Sequence, residues 1–350
     1  MRARPSVAAR VTFALLVAAL SAAFAWVLAR NTGANYVADF DQIWWAARLV
    51  LHGQDPYAVI NGSRPGFPFH YFYPMPATWA AIPLAGLDVY AARVTFAAAS
   101  GAVFAYAVTR ERWLPAVAVA SQSYWSCVYL VQWTPIIAAA AVLPWLGWTW
   151  ACKPNVAAIA AVGVRDRRAL LVSLAFAAAF AVATLLVDPG WPLRWRDALE
   201  TAEHFRPIVT RPLGALLLLA VLRWRRAEAR VLLALALVPH TPGTREALLF
   251  FVTPLNWMQA FALVVGSWGA RWAVNGVPWR EDFVLAMARS ADSFLLWMFL
   301  PLLVLTLARP NAGSVPAWLE RAVARWPGWI RGHATSLPEA VHVPPTPERW

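Results

Sequence analysis

The stretch WLPAVAVASQSYWSCVYLVQWTPIIAAAAVLPWLGWTWAC, residues 113–152, carries no charged side chain. At about 20 residues per helical crossing it is long enough for two transmembrane passes. Outward from it, further uncharged runs lie at 11–28, 72–87, 94–109, 169–187 and 247–270, with weaker ones at 212–222, 231–244 and 293–308. None alternates polar and apolar residues with a period of two, and a helix satisfies its own backbone in lipid, so helices are the expected spanning element. The expected fold is an all-α polytopic integral membrane protein with about nine to twelve crossings.

Composition agrees. Of the 350 residues, 60% are apolar and only 14% charged, with a mean hydropathy of +0.52. Soluble chains carry about 25% charged residues, so a soluble enzyme and a disordered scaffold are both excluded as readings. The formal net charge is +12. Lys153 is the one lysine, and the arginines are scattered through short segments between apolar runs. Membrane topology and anionic headgroups explain that pattern better than nucleic acid does. The two cysteines, Cys127 and Cys152, share one uncharged stretch, which argues against a disulfide framework or a zinc site.

The N-terminus reads MRARPSVAAR before the run 11–28. That run exceeds the usual apolar core of a signal peptide, so an uncleaved anchor is expected despite the AFA triplet at 23–25. Arg2, Arg4 and Arg10 would hold the N-terminus in the cytoplasm. With Arg165, Arg167 and Arg168 in one cytoplasmic turn and Arg223, Arg225, Arg226 and Arg230 in another, residues 31–71 and 188–211 become two outer loops. Arg110 and Arg112 then face outward, against the rule. Residues 1–309 form one transmembrane domain; the Pro-rich tail 310–350 is expected to be largely disordered, with a short amphipathic piece at 317–326.

The first outer loop contains ADFDQIWWAARLVLHGQDPY, residues 38–57. Apolar side chains at Phe40, Ile43, Trp44, Ala47, Val50 and Leu51 follow helical spacing, with Asp41 and Arg48 on the other face, which predicts a helix lying on the membrane surface. Gly53 is placed to stop it, and Asp39 with Gln42 has the pattern of a capping box. Asp39 therefore has two readings that do not exclude each other: a helix cap, and a general base at the lipid surface that accepts the proton of an incoming sugar hydroxyl. Asp39-Phe40-Asp41 also has the form of a D-x-D metal motif, but the nucleotide sugars such motifs serve are normally absent outside the membrane. No metal or cofactor is expected.

Lys153 ends a long apolar stretch. It reads either as a snorkelling lysine or as a cation for the phosphate of a lipid-linked donor. Tyr57, Tyr71 and Tyr73 with Trp44 and Trp45 fit an aromatic belt, with sugar stacking as the alternative. His70 and His204 lie in the outer loops, and His240 lies inside the broken run 231–244.

The order Asp39-Phe40, Ala46-Ala47, Gly53-x-Asp55-Pro56-Tyr57, Phe72-x-Pro74-x-Pro76 and Ile82-Pro83-Leu84-Ala85 resembles glycosyltransferase family 87. These are polytopic C-type glycosyltransferases that include polyprenol-phosphate-mannose-dependent α-mannosyltransferases of actinobacteria. The similarity continues at Gln132, Lys153-Pro154 and Pro254-x-x-Trp257. The sequence departs from the pattern at Val131, where glycine is usual, and at Met258, Gln259 and Ala260, where the family often has histidines. The resemblance implies an extracytoplasmic transfer of a sugar, mannose in the best-known members, from a polyprenyl-phosphate donor to a glycolipid or glycan acceptor. It also implies a catalytic aspartate in the first outer loop: Asp39, with Asp41 in reserve. Tyr57, Tyr73, Gln132, Lys153, His240 and Trp257 are the expected substrate-binding residues, and membrane lipids rather than nucleic acid the expected surroundings. A transporter or lipid flippase, and an inactive membrane scaffold, are the rival readings.

Overall fold

The computed structural model describes residues 4–32, 38–62, 70–164, 166–202, 206–240, 245–274, 283–313, 315 and 317–333. Among the described residues the elements are helices, with no strand. Four stretches are long and apolar enough to cross a membrane: Val7–Asn31, Val89–Val108, Arg167–Val187 and Ala288–Leu307. At about 1.5 Å per residue, the 21 residues of Arg167–Val187 reach about 31 Å, the thickness of a bilayer core. The remaining apolar runs are broken into shorter pieces, and proline is the reason. Pro115, Pro135, Pro144 and Pro154 each stand in the first turn of a new helix, where a missing N–H costs nothing and the ring prevents the preceding helix from running on.

Contacts between elements sort the turns into two ends. Arg10 lies at the start of the first helix, and its guanidinium donates to the Tyr106 carbonyl at 2.8 Å. Arg110 donates to the Val142 carbonyl at 2.8 Å, and Arg112 to that of Thr253. Arg223 donates to the carbonyls of Arg309 and Leu307. Asp39 begins the helix Asp39–Leu51 at the opposite end. Arg110 and Arg112 thus stand with Arg10 and not with the outer loops.

The run 72–87, expected to be a crossing, is not one of the four spanning stretches. Its helix Met75–Ala81 runs directly into the 3-10 turn Ile82–Leu84, and the two together are too short for a bilayer core of about 30 Å. The Phe72 carbonyl accepts from Trp195, and the Leu87 carbonyl from Trp44. Removing that crossing reverses the parity of the next one.

In the tail, Ala317–Val323 is helical inside the short piece expected at 317–326. Residues 310–313, 315 and 317–333 are placed against the Arg10 end, while 334–350 lie outside the described residues. Arg225 makes a two-pronged ion pair with Glu320, Trp224 donates to the Ile330 carbonyl at 2.8 Å, and Asn311 donates to the same carbonyl at 2.7 Å. A buried guanidinium needs a carboxylate, and Glu320 supplies one to a side chain that is 1% exposed.

Large apolar side chains cover the outside. Leu15, Leu16, Trp26 and Val27 on the first helix, Leu186 on Arg167–Val187, and Phe261 and Trp272 on Trp257–Ala273 are all exposed. Exposed apolar surface on this scale is foreign to a water-soluble monomer.

The two ends yield a test. Single cysteines at Ser6, Arg196 and Gly328 suit side-specific labelling in vesicles, since Cys127 and Cys152 are buried and a Cβ at Gly328 meets open space. Ser6→Cys and Gly328→Cys should react from one side and Arg196→Cys from the other. Labelling of Ser6→Cys and Gly328→Cys from opposite sides would refute the arrangement.

Candidate functional site

The helix Asp39–Leu51 is fixed before it can present anything. Phe40, Ile43, Ala46 and Ala47 are fully buried, a stripe at helical spacing. Phe40 stacks on Phe96 at 4.7 Å, and Phe96 meets Trp133 edge-on at 4.9 Å, so one line of rings ties this helix to Val89–Val108 and to the turn at 131–133. The helix stops as expected, with Gly53 at φ +69° and its N–H donating to the Val50 carbonyl.

Its N-terminus is capped differently from the sequence reading. The N-cap is Ala38, one residue earlier, and the Ala38 N–H donates to Asp41 Oδ2 at 2.8 Å. Asp41, not Gln42, therefore closes the box, and Asp39 is released from capping. Asp41 was expected on the outer face; it is instead buried, its side chain 5% exposed, and takes both prongs of Arg93. Burial pushes its carboxyl up from the usual range, while the Arg93 guanidinium and the Ala38 N–H pull it back. Asp41 is a structural anchor, and as the reserve base it is withdrawn from any incoming hydroxyl.

Asp39 is the opposite case: its side chain is 39% exposed. The Gln132 side-chain amide donates through Nε2 to Asp39 Oδ2. Lys153 Nζ donates to Gln132 Oε1 at 2.9 Å. Arg245 Nη1 donates to Asp39 Oδ2 at 3.4 Å. The Tyr73 ring lies below Lys153 Nζ, 5.8 Å from its centroid. Burial, then the neighbouring Arg245 cation, push the Lys153 ammonium down from its usual range, and Asp39 and Glu246 pull it up. Each group comes from a different turn at the Asp39 end. One half-open carboxylate thus stands near two cations at one end of the helical bundle.

Gln132 reaches this position because of the residue before it. The helix Gln122–Leu130 ends on Val131 in the left-handed region, φ +51°, and the Gln132 N–H donates to the Cys127 carbonyl at 2.8 Å. A β-branched residue is strained there, and glycine is not. The departure at Val131 therefore falls at the one place in this turn where glycine would fit best.

The other expected residues divide. Tyr57 is buried and donates to the Tyr73 carbonyl at 2.9 Å, so it shapes the Tyr73 turn without facing the cluster. With Tyr71 also fully buried, these two tyrosines do not form an exposed belt. His240 lies at the Asp39 end, buried, with Nε2 3.2 Å from the Leu235 carbonyl. Trp257 is not at this site. It opens Trp257–Ala273 next to Thr253, which Arg112 contacts at the Arg10 end, and its side chain is exposed. His70 lies 3.2 Å from Thr201 Oγ1, and His204 falls outside the described residues.

Compared with family models, curated proteins and solved structures, the chain matches none. Its function must therefore be argued from the cluster itself. Sequence reasoning missed Arg245 and Glu246, which follow 241–244 directly; the signal available was a charged pair interrupting an otherwise uncharged stretch from 231 to 270.

Two substitutions test this geometry. Asp41→Asn removes the carboxylate charge that faces buried Arg93 and should cost about 3–5 kcal/mol by thermal or denaturant unfolding, with much of the loss recovered by the added change Arg93→Met. An unchanged melting temperature in Asp41→Asn would contradict the anchoring role. At Val131 the ordinary ranking should invert: Val131→Gly should be about 1 kcal/mol more stable than Val131→Ala, because only glycine is unstrained at that φ. Equal stability would show that the turn relaxes out of the left-handed region.

Proposed function

We propose that the protein is a membrane glycosyltransferase that moves a sugar from a polyprenyl-phosphate donor to a glycolipid or glycan acceptor by inversion. Arginines gather at one end, at Arg10, Arg110, Arg112, Arg223, Arg225 and Arg226, and by the positive-inside rule that end faces the cytoplasm. The Asp39 cluster then opens extracytoplasmically, where lipid-linked sugars rather than nucleotide sugars are available. The observation that carries the reading is the half-open Asp39 carboxylate, with one oxygen held by Gln132 and Arg245 and with Lys153 linked to it through the Gln132 amide.

In this reading the acceptor hydroxyl gives its proton to Asp39 as its oxygen bonds to the anomeric carbon, on the face opposite the phosphate. The bond between the anomeric carbon and the phosphate oxygen breaks, and its electron pair leaves with the phosphate. Lys153 and Arg245 stabilise the charge gathering on that leaving group. Gln132 keeps the base and the cation in register. The resemblance to glycosyltransferase family 87 suggests mannose as the sugar, and the histidines often found after its Pro-x-x-Trp element have a counterpart in role in Lys153 and Arg245.

Asp39→Asn should keep the fold and lower sugar transfer from radiolabelled polyprenyl phosphate by about 10²–10⁴-fold, the usual contribution of a general base. Transfer at the wild-type rate would end the proposal. Movement of labelled lipid across vesicles without any transfer would favour the flippase instead.

A further inference from the structure

Glu246 is a buried carboxylate that the transfer does not use. It is 2% exposed, and its Oε1 lies 4.0 Å from Arg245 Nε. Its Oε2 makes no hydrogen bond among the described residues. Its charge acts on Lys153, on Arg245 and on the buried Cys127. Counting formal charges, Lys153 and Arg245 contribute two positive charges, and Asp39 and Glu246 two negative. The empty cluster is neutral.

Resting on the proposed transfer, we infer that Glu246 sets the charge class of ligand this site retains: a monoanionic lipid phosphodiester in preference to a dianionic lipid phosphomonoester. The donor is a phosphodiester carrying one negative charge, and the leaving group is a monoester that carries two above its second ionisation, near pH 6. During transfer the total charge is conserved, since Asp39 gains the acceptor proton as the phosphate gains an electron pair. Asp39 is open to water and passes that proton on. The cluster then holds a dianion with no net positive charge of its own, and buried Glu246 repels it. The product is released for lack of a counter-charge, whereas a site of two cations without Glu246 would keep it.

The repulsion gives a quantitative signature. A fixed charge acts on a ligand in proportion to the ligand's own charge, so the free-energy effect on a dianion is twice that on a monoanion. The purified full-length protein in nanodiscs is titrated with a short-chain polyprenyl phosphate and with its methyl phosphodiester, which lacks the sugar. At pH 8, Glu246→Gln should tighten the diester about threefold and the monoester about tenfold, the square of the smaller factor. At pH 5, where the monoester carries one charge, both should tighten about threefold. Glu246→Asp keeps the charge and should match the wild type. Should Glu246→Gln fail to fold, Glu246→Leu replaces it, leaving no unpaired amide in the buried position. Equal tightening of the two lipids at pH 8, or a monoester effect that persists at pH 5, overturns the role of Glu246 while leaving the lipid-phosphate site standing. Binding of neither lipid by the wild type overturns the proposed transfer itself and the inference with it.

Discussion

The structure depends on the Gln132 amide, because a primary amide has two unlike ends. Its oxygen can only accept and its nitrogen can only donate. Lys153 offers donors alone, and ionised Asp39 offers acceptors alone, so the amide has one orientation that satisfies both: Oε1 toward Lys153 and Nε2 toward Asp39. A cation and a carboxylate drawn from turns far apart in sequence are thereby held at a fixed separation without neutralising each other by direct contact. An ion pair in place of this relay would bring the carboxylate onto the ammonium and take it away from any third group.

Around that relay the two aspartates of one helix turn take opposite parts. Asp41 is inside, closing the helix start and holding Arg93. Asp39 is two residues away, about 200° round the helix, and is partly exposed. The bundle commits one carboxylate to anchoring, which makes the other available. The Phe40, Phe96 and Trp133 rings do the corresponding work for the Gln132 turn. Val131 remains strained at that turn, as residues that aim a neighbour into a site often are.

At the other end the charges are arranged for closure. Arg226 and Arg309 both reach Glu228, whose side chain is fully buried, and Arg309 also donates to Gln259 Oε1 at 2.6 Å. Gln259 stands where a family histidine was expected; it is turned toward this inner network, and its amide also donates to Thr306 at 3.0 Å. Gln259 thus belongs to a packed polar junction between helices, at the end away from Asp39.

The sequence by itself determined the helical class, the apolar runs and the stop at Gly53, and it singled out Asp39, Gln132 and Lys153, which the fold brings into contact. Hydrophobicity, glycine conformation and a lone lysine after an uncharged stretch are local signals that survive without coordinates. It did not separate Asp39 from Asp41, since both follow a loop and both suit a first turn; Arg93, 52 residues from Asp41, made the choice. Nor could it tell that 72–87 holds only a short helical piece, because such a piece and an apolar crossing have the same composition and differ in which backbone carbonyls Trp44 and Trp195 reach. Arg245 and Glu246 joined the site through packing alone. A charge cluster assembled from separate turns exists only once the helices between them have fixed where those turns end.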